Sequence, residues 1–250
     1  MQRSHAALTT DPQHIRVKGL KEPVEVRRHH AARRMTLRVS RTQRSVIVTL
    51  PMSCDLAQVG TFLTSNLDWV RERLGSLPVE VPFTDGCVMP LRGVPHIVEF
   101  VGNLRGTGVV TVGKDTAGRP LLKVSGQHEH APRRLRDWLI QQSCRDLETR
   151  VTHHANFLKL RPKRLTVRDQ TSRWGSCSST GSLSFSWRLI LAPPLILDYV
   201  AAHEVAHLAE MNHGPRFWAL CRKTMPRTDE AKAWLQVYGI DLHRYGTSAS

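Results

Sequence analysis

The chain reads as an α+β protein, and three observations carry that reading. Period-two or β-branched stretches recur between residues 35 and 50 and between 87 and 124. A long amphipathic stretch covers 132 to 158. An alternating run, Ser182 to Leu191, leads into a helix-patterned segment carrying His203-Glu204-Val205-Ala206-His207. Strand-rich and helix-rich stretches that follow one another in this way make that class.

At 250 residues the chain can bury a substantial core as one large domain or two small ones. The expected division is a lead-in over 1–26, a strand-rich subdomain with one helix over 27–130, and a metal-binding domain over 131–250. The formal net charge of +15 favours an acidic partner, whether nucleic acid, a nucleotide or an anionic substrate, without choosing among them. Met1 to Gly19 has no apolar signal core and no run approaches a membrane span, so no membrane partner is expected. Five scattered cysteines with no C-x-x-C pair point to reduced thiols and a cytoplasmic setting.

Residues 27–44 carry seven arginines and no acid. Met35 to Ser40 alternates and Ser45 to Leu50 is β-branched, which predicts a hairpin turning near Thr42-Gln43-Arg44. An anion-binding patch over Arg27 to Arg44 and a plain solvated sheet face fit those arginines equally. Asp55 is placed to cap one helix running through Leu56, Val59, Leu63, Leu67, Trp69, Val70 and Leu74. Pro78 to Pro82 is a linker. Cys87–Leu91, Val94–Val101, Val109–Val112 and Leu121–Val124 read as strands, separated by turns at Asp85-Gly86, Arg92-Gly93, Gly106, Gly108 and Gly118. Without a G-K-[ST] ending, Arg105 to Gly108 is a turn and not a phosphate loop.

In the 132–158 helix, His153 and His154 point to different faces and cannot share an ion. Leu165 to Asp169 begins a strand, Ser179-Thr180-Gly181 makes a hairpin turn, and Ser182 to Leu191 sets Leu183, Phe185, Trp187, Leu189 and Leu191 on one face. A small antiparallel sheet thus leads into the metal-binding helix. An edge strand through Trp174, Gly175 and Ser176 would hold an extended peptide by backbone pairing, with Gly175 admitting close approach. Cys177 reads as a strand-lining thiol.

His203 and His207 lie one helical turn apart on one face and can close on one ion. Pro193-Pro194 suit a helix start, while Asn212 and Gly214-Pro215 form a stop signal, so that His213 falls where the chain can turn back to the metal. Three neutral imidazoles bind Zn²⁺ well and leave a fourth position for water, and Glu204 stands beside them with a carboxylate that can take a proton. Pro215–Thr224 and Glu230–Tyr238 read as two further short helices.

Arg173-Trp174-Gly175-Ser176-Cys177-Ser178, Tyr199-Val200 before the H-E-V-A-H motif, Asn212-His213 and Phe217-Trp218 together resemble the YgjP-like metal-dependent hydrolases, a group related to SprT-type zinc peptidases. The resemblance is densest from about Arg133 to Tyr245. It implies zinc held by His203, His207 and His213, with Glu204 as catalytic acid/base, and a strand-rich N-terminal part packed on a zincin-like C-terminal part. The metzincins share this ligand spacing, but Glu210 here occupies the position of their turn glycine, so the helix is expected to continue further.

Three functions follow from these residues. A zinc peptidase stands first, with Arg173, His243 and Tyr245, in that order, as donors to a developing oxyanion. A metal-dependent phosphohydrolase acting on nucleotides is second, because the same activated water can attack phosphorus. The third is a peptidase brought by its basic segment to protein on nucleic acid.

Overall fold

The computed structural model describes residues 13–21, 23–103 and 108–247. Half of the lead-in and the turn at Gly106 therefore lie outside the described residues. The chain divides into two compact units, 1–78 and 79–250.

In the first unit, alternating valines make the sheet. Its strands are β1 (Gln13–Ile15), β2 (Val24–Arg28), β3 (Thr36–Ser40) and β4 (Ser45–Leu50), ordered β1-β2-β4-β3. β3 and β4 form the expected antiparallel hairpin, and β2 runs parallel to β4. Val24 and Val26 of β2 share a core with Val46, Val48 and Leu50 of β4, so these lead-in residues are structural. That core is closed by Val59 and Leu63 of α1 (Leu56–Ser65) and Val70 of α2 (Leu67–Gly75). Asp55 caps α1 through the Ala57 amide at 3.2 Å. The single helix expected here is two. Asn66 leaves helical geometry (φ −114°, ψ 12°) and its side-chain amide Nδ2 donates to the Phe62 carbonyl at 2.8 Å, a local bond that competes with the backbone ladder.

The second unit begins with β5 (Val88–Leu91), β6 (Val94–Gly102), β7 (Val110–Lys114) and β8 (Pro120–Ser125), ordered β5-β6-β8-β7. The 28-residue α3 (Ala131–Leu158) follows, ending where Lys159 turns left-handed. Met89, Leu91, Val98, Leu122 and Val124 of the sheet share one core with Leu135 and Leu139 of α3 and with Phe185 and Trp187. A boundary between residues 130 and 131 would cut through that core; the division falls at the Pro78–Val79 linker instead.

The second sheet of this unit holds β9 (Arg164–Arg168), β10 (Gly175–Cys177) and β11 (Ser182–Ser186), ordered β10-β11-β9. It is mixed, not antiparallel: β10 and β11 form the hairpin, while β9 lies on the far side of β11 and runs parallel to it. The alternation read through Leu191 stops being a strand at Ser186, because Trp187–Leu191 winds into a 3-10 turn with all five side chains buried. Arg92 and Gly93 of the β5–β6 turn donate to the Ile190 and Leu191 carbonyls at 2.7 and 3.0 Å, which holds that turn in place.

Three helices complete the unit: α4 (Pro194–Ala206), α5 (Pro215–Thr224) and α6 (Thr228–Tyr238). α4 is buried on most of its surface, with Leu197, Val200, Ala201, Ala202 and Val205 all in the core. Among the described residues, no helix is long and apolar enough to cross a membrane.

One polar cluster ties α3, α4 and α5 together. His154 of α3, with no exposed surface, contacts Asp198 Oδ1 of α4 through Nε2 at 2.6 Å and Thr224 Oγ1 of α5 through Nδ1 at 2.8 Å. The carboxylate can only accept, so Nε2 carries the proton and, in the neutral ring, Nδ1 accepts from the threonine hydroxyl. Arg150 adds a second pair of bonds to Asp198. Burial pushes the Asp198 carboxyl up, but bonds from His154 and Arg150 outweigh it and hold it below its ordinary value. Asp198→Asn should lower unfolding free energy by about 2 kcal/mol, discounted from a fully buried pair because the carboxylate is partly exposed. A depressed carboxyl stabilises above its unfolded value of about 3.9 and loses that contribution as pH falls further. Denaturant titrations should therefore show the two proteins converging below about pH 4.

Candidate metal centre

α4 delivers His203 and Glu204 in its last turn, and His207 caps it. The helix does not continue past Glu210 as expected. It tightens after Ala206 into i→i+3 bonds, Leu208 to Val205 at 3.0 Å and Ala209 to Ala206 at 3.1 Å. That tightening frees the Glu210 carbonyl, which accepts from His207 Nδ1 at 3.0 Å. A carbonyl can only accept, so His207 is protonated at Nδ1 and offers Nε2 as a ligand atom.

His213 returns to the same place from beyond the helix. Its Nε2 lies 3.0 Å from His203 Nε2, and the donor atoms of His203, His207 and His213 all fall within 4.8 Å of one another. Tetrahedral zinc with ordinary Zn–N bonds would set nitrogens about 3.3 Å apart, so the donor set and its spacing fit that ion.

Aromatic rings hold this cluster. Phe217 of α5 lies 4.4 to 4.8 Å, centroid to centroid, from all three imidazoles. Trp218 Nε1 donates to the His213 carbonyl at 3.1 Å, pinning the return loop. Burial lowers the proton affinity of His203, to about 3, aided by the neighbouring His207, His213 and Lys232. Burial lowers that of His207 as well, with Glu210 opposing. Neutral imidazoles at ordinary pH are the form a cation requires.

Glu204 is buried under β10. A Cβ on Gly175 would come within 2.6 Å of Glu204 Cγ and Oε1, so the room left by that glycine is filled by the carboxylate and not, as expected, kept for a substrate. Burial raises the Glu204 carboxyl to about 7, with the Arg173 guanidinium opposing the rise. Nearby, burial and the Glu204 charge both push the Cys177 thiol up, keeping it protonated.

These groups face an open cleft of about 530 Å³. Arg173, Gly175 and Ser176 line it, as the sequence suggests, together with Cys177 and Met211. Trp174 turns away: its ring packs 4.8 Å from His243 and its carbonyl accepts from the Ser186 amide at 2.9 Å. His243 and Tyr245 are not in the cleft lining. His243 is buried against Trp174, and the Tyr245 carbonyl accepts from Arg188 at 2.7 Å while its backbone bridges to Val81. The chain end is packing material, and of the three oxyanion donors considered only Arg173 reaches the cleft. The Glu210 carbonyl had no signal in the residue pattern, because a backbone group carries none.

Three imidazoles with a buried glutamate beside them make a centre of metallopeptidase type. The chain belongs to the YgjP-like family, whose metallopeptidase domain matches residues 33–238. Among solved structures, the crystal structure of the metallopeptidase zymogen abylysin from Pyrococcus abyssi is similar at 20% identity and a TM-score of 0.34, covering 36% of this chain and 92% of its own. No curated protein matches the chain.

His213 is exposed, so His213→Ala should leave the fold intact while weakening zinc binding by about 100-fold or more, read by competition with a chromogenic chelator. Gly175→Ala should retain one metal per chain by elemental analysis yet lose about 100-fold in turnover, because a displacement of the carboxylate near 1 Å is enough for that.

Proposed function

We propose that the chain is a zinc peptidase that cleaves extended polypeptide, with Glu204 as general base and then general acid. The observation that carries this reading is the convergence of His203, His207 and His213 beside a buried Glu204, under the edge strand β10. The three imidazoles would hold the ion, which when bound acidifies water and polarises a carbonyl.

The chain's own groups then divide the work. β10 ends the order β10-β11-β9, so among the described residues its outer backbone groups have no strand partner and can pair with an extended substrate. Glu204 accepts the proton of the attacking water at its carboxylate and returns it to the leaving nitrogen. A carboxyl near 7 suits both halves of that transfer. Arg173, exposed at the cleft, offers a cationic donor toward the negative charge on the former carbonyl oxygen. Met211, half exposed in the same cleft, supplies an apolar contact for a substrate side chain.

Glu204→Gln should keep the metal by elemental analysis and reduce cleavage of an unstructured polypeptide by about 10²- to 10⁴-fold. Undiminished cleavage by a metal-replete variant would remove Glu204 from this role. Release of phosphate from nucleoside triphosphates without any peptide cleavage would replace the scissile bond.

A further inference from the structure

Residues 1–78 carry thirteen Lys and Arg against six Asp and Glu, a formal charge of +7. Several arginines of the second unit pair with carboxylates: Arg92 with Asp146, Arg150 with Asp198, Arg222 with Asp229 and Arg227 with Glu230. Three arginines of the first unit stand together without such a partner. Among the described residues, no carboxylate pairs with Arg38, Arg41 or Arg73, and all three line one groove of about 440 Å³ between β3 and α2. The same groove exposes Trp69, 40% accessible, with the Arg73 guanidinium 5.8 Å from the centre of its ring.

Like charges gathered without counter-charge raise each other's energy, and an exposed indole leaves apolar surface in water; an anionic ligand with a flat ring relieves both. β3 ends its sheet in the order β1-β2-β4-β3, so among the described residues no strand pairs with its outer edge. We propose that this groove binds single-stranded nucleic acid, with a base stacked on Trp69 and successive phosphates on Arg38, Arg41 and Arg73. An acidic peptide would use the guanidinium groups but leave the ring face idle. A duplex keeps its bases stacked within itself, away from the indole. Three guanidinium groups on two elements suit a run of phosphates better than a lone one. None of these residues belongs to the metal centre, so this assignment and the peptidase reading fail independently.

The test uses the whole chain and fluorescein-labelled twelve-residue oligomers of thymidylate and uridylate, followed by anisotropy between 50 and 200 mM salt, in this concentration range chosen for counterion release. Binding at 50 mM is expected, with a slope of log K against log salt of about −2 from three phosphate contacts. Trp69→Leu should weaken binding about tenfold and remove the indole quenching that accompanies it. Arg38→Glu with Arg41→Glu should weaken it more than tenfold and flatten the slope. Each variant is checked for an unchanged unfolding midpoint; should the double variant misfold, Arg41→Ser carries the test by losing part of the slope. Absence of binding at 50 mM overturns the proposal, as does unchanged affinity in Trp69→Leu or an unchanged slope in Arg41→Ser. Competition by polyglutamate, duplex DNA or UTP as strong as by the unlabelled oligomer would assign the groove to a different ligand and equally overturn it.

Discussion

His154 sets the roll of the helix that carries His203 and Glu204. It has no exposed surface, and its two ring nitrogens reach α4 at Asp198 and α5 at Thr224. Asp198 and His203 lie five residues apart, about 140° around a helix. Anchoring Asp198 toward α3 therefore turns His203 and Glu204 away from α3 and toward β10 and α5. The hydroxyl, imidazole and carboxylate of this cluster stand in the order of a nucleophilic triad, yet His154 is sealed from any substrate. Its role is to fix a rotation, and Arg150 neutralises the carboxylate that does so.

With the roll fixed, the centre is assembled from opposite kinds of constraint. Glu204 is held by the absence of a side chain: Gly175 leaves a space the carboxylate fills, and burial there keeps its proton affinity high. The imidazoles are held by the presence of bulk, with Phe217 packed against all three and Trp218 tethering the loop that brings His213 back. Such packing stores little polar compensation. His203 Nδ1 is buried with no hydrogen-bond partner among the described residues, so that ring is oriented by Tyr199, Phe217 and Trp218 rather than by an acceptor. Rings lower the local dielectric, and burial among them lowers the proton affinity of His203.

Much of this was legible from local chemistry. The β3–β4 hairpin, the cap at Asp55 and the extent of α3 follow from patterns a few residues wide, which local interactions enforce. The break between α1 and α2 has no such local signature, because an amide in an apolar helical pattern reveals nothing until its bond to the Phe62 carbonyl is formed. Trp187, Leu189 and Leu191 alternate like a strand, but Arg188 and Ile190 between them are buried too, and full burial erases the two-sided signal on which a strand assignment rests.

Residue identity and spacing by themselves marked out the candidate ligands and base: His203, Glu204 and His207 about one turn apart, His213 six residues on, and the α+β order of elements that leads to them. These are short-range facts, fixed by helical geometry and side-chain chemistry. Only the tertiary structure decided which groups serve those donors. The Glu210 carbonyl, the space above Gly175, the aromatic packing of Phe217 and the retreat of Trp174, His243 and Tyr245 into the core all depend on contacts between segments distant in the chain. The division at Pro78 was settled in the same way, since a shared core, not a change in local pattern, makes the β5–β8 sheet part of the unit that holds the metal centre.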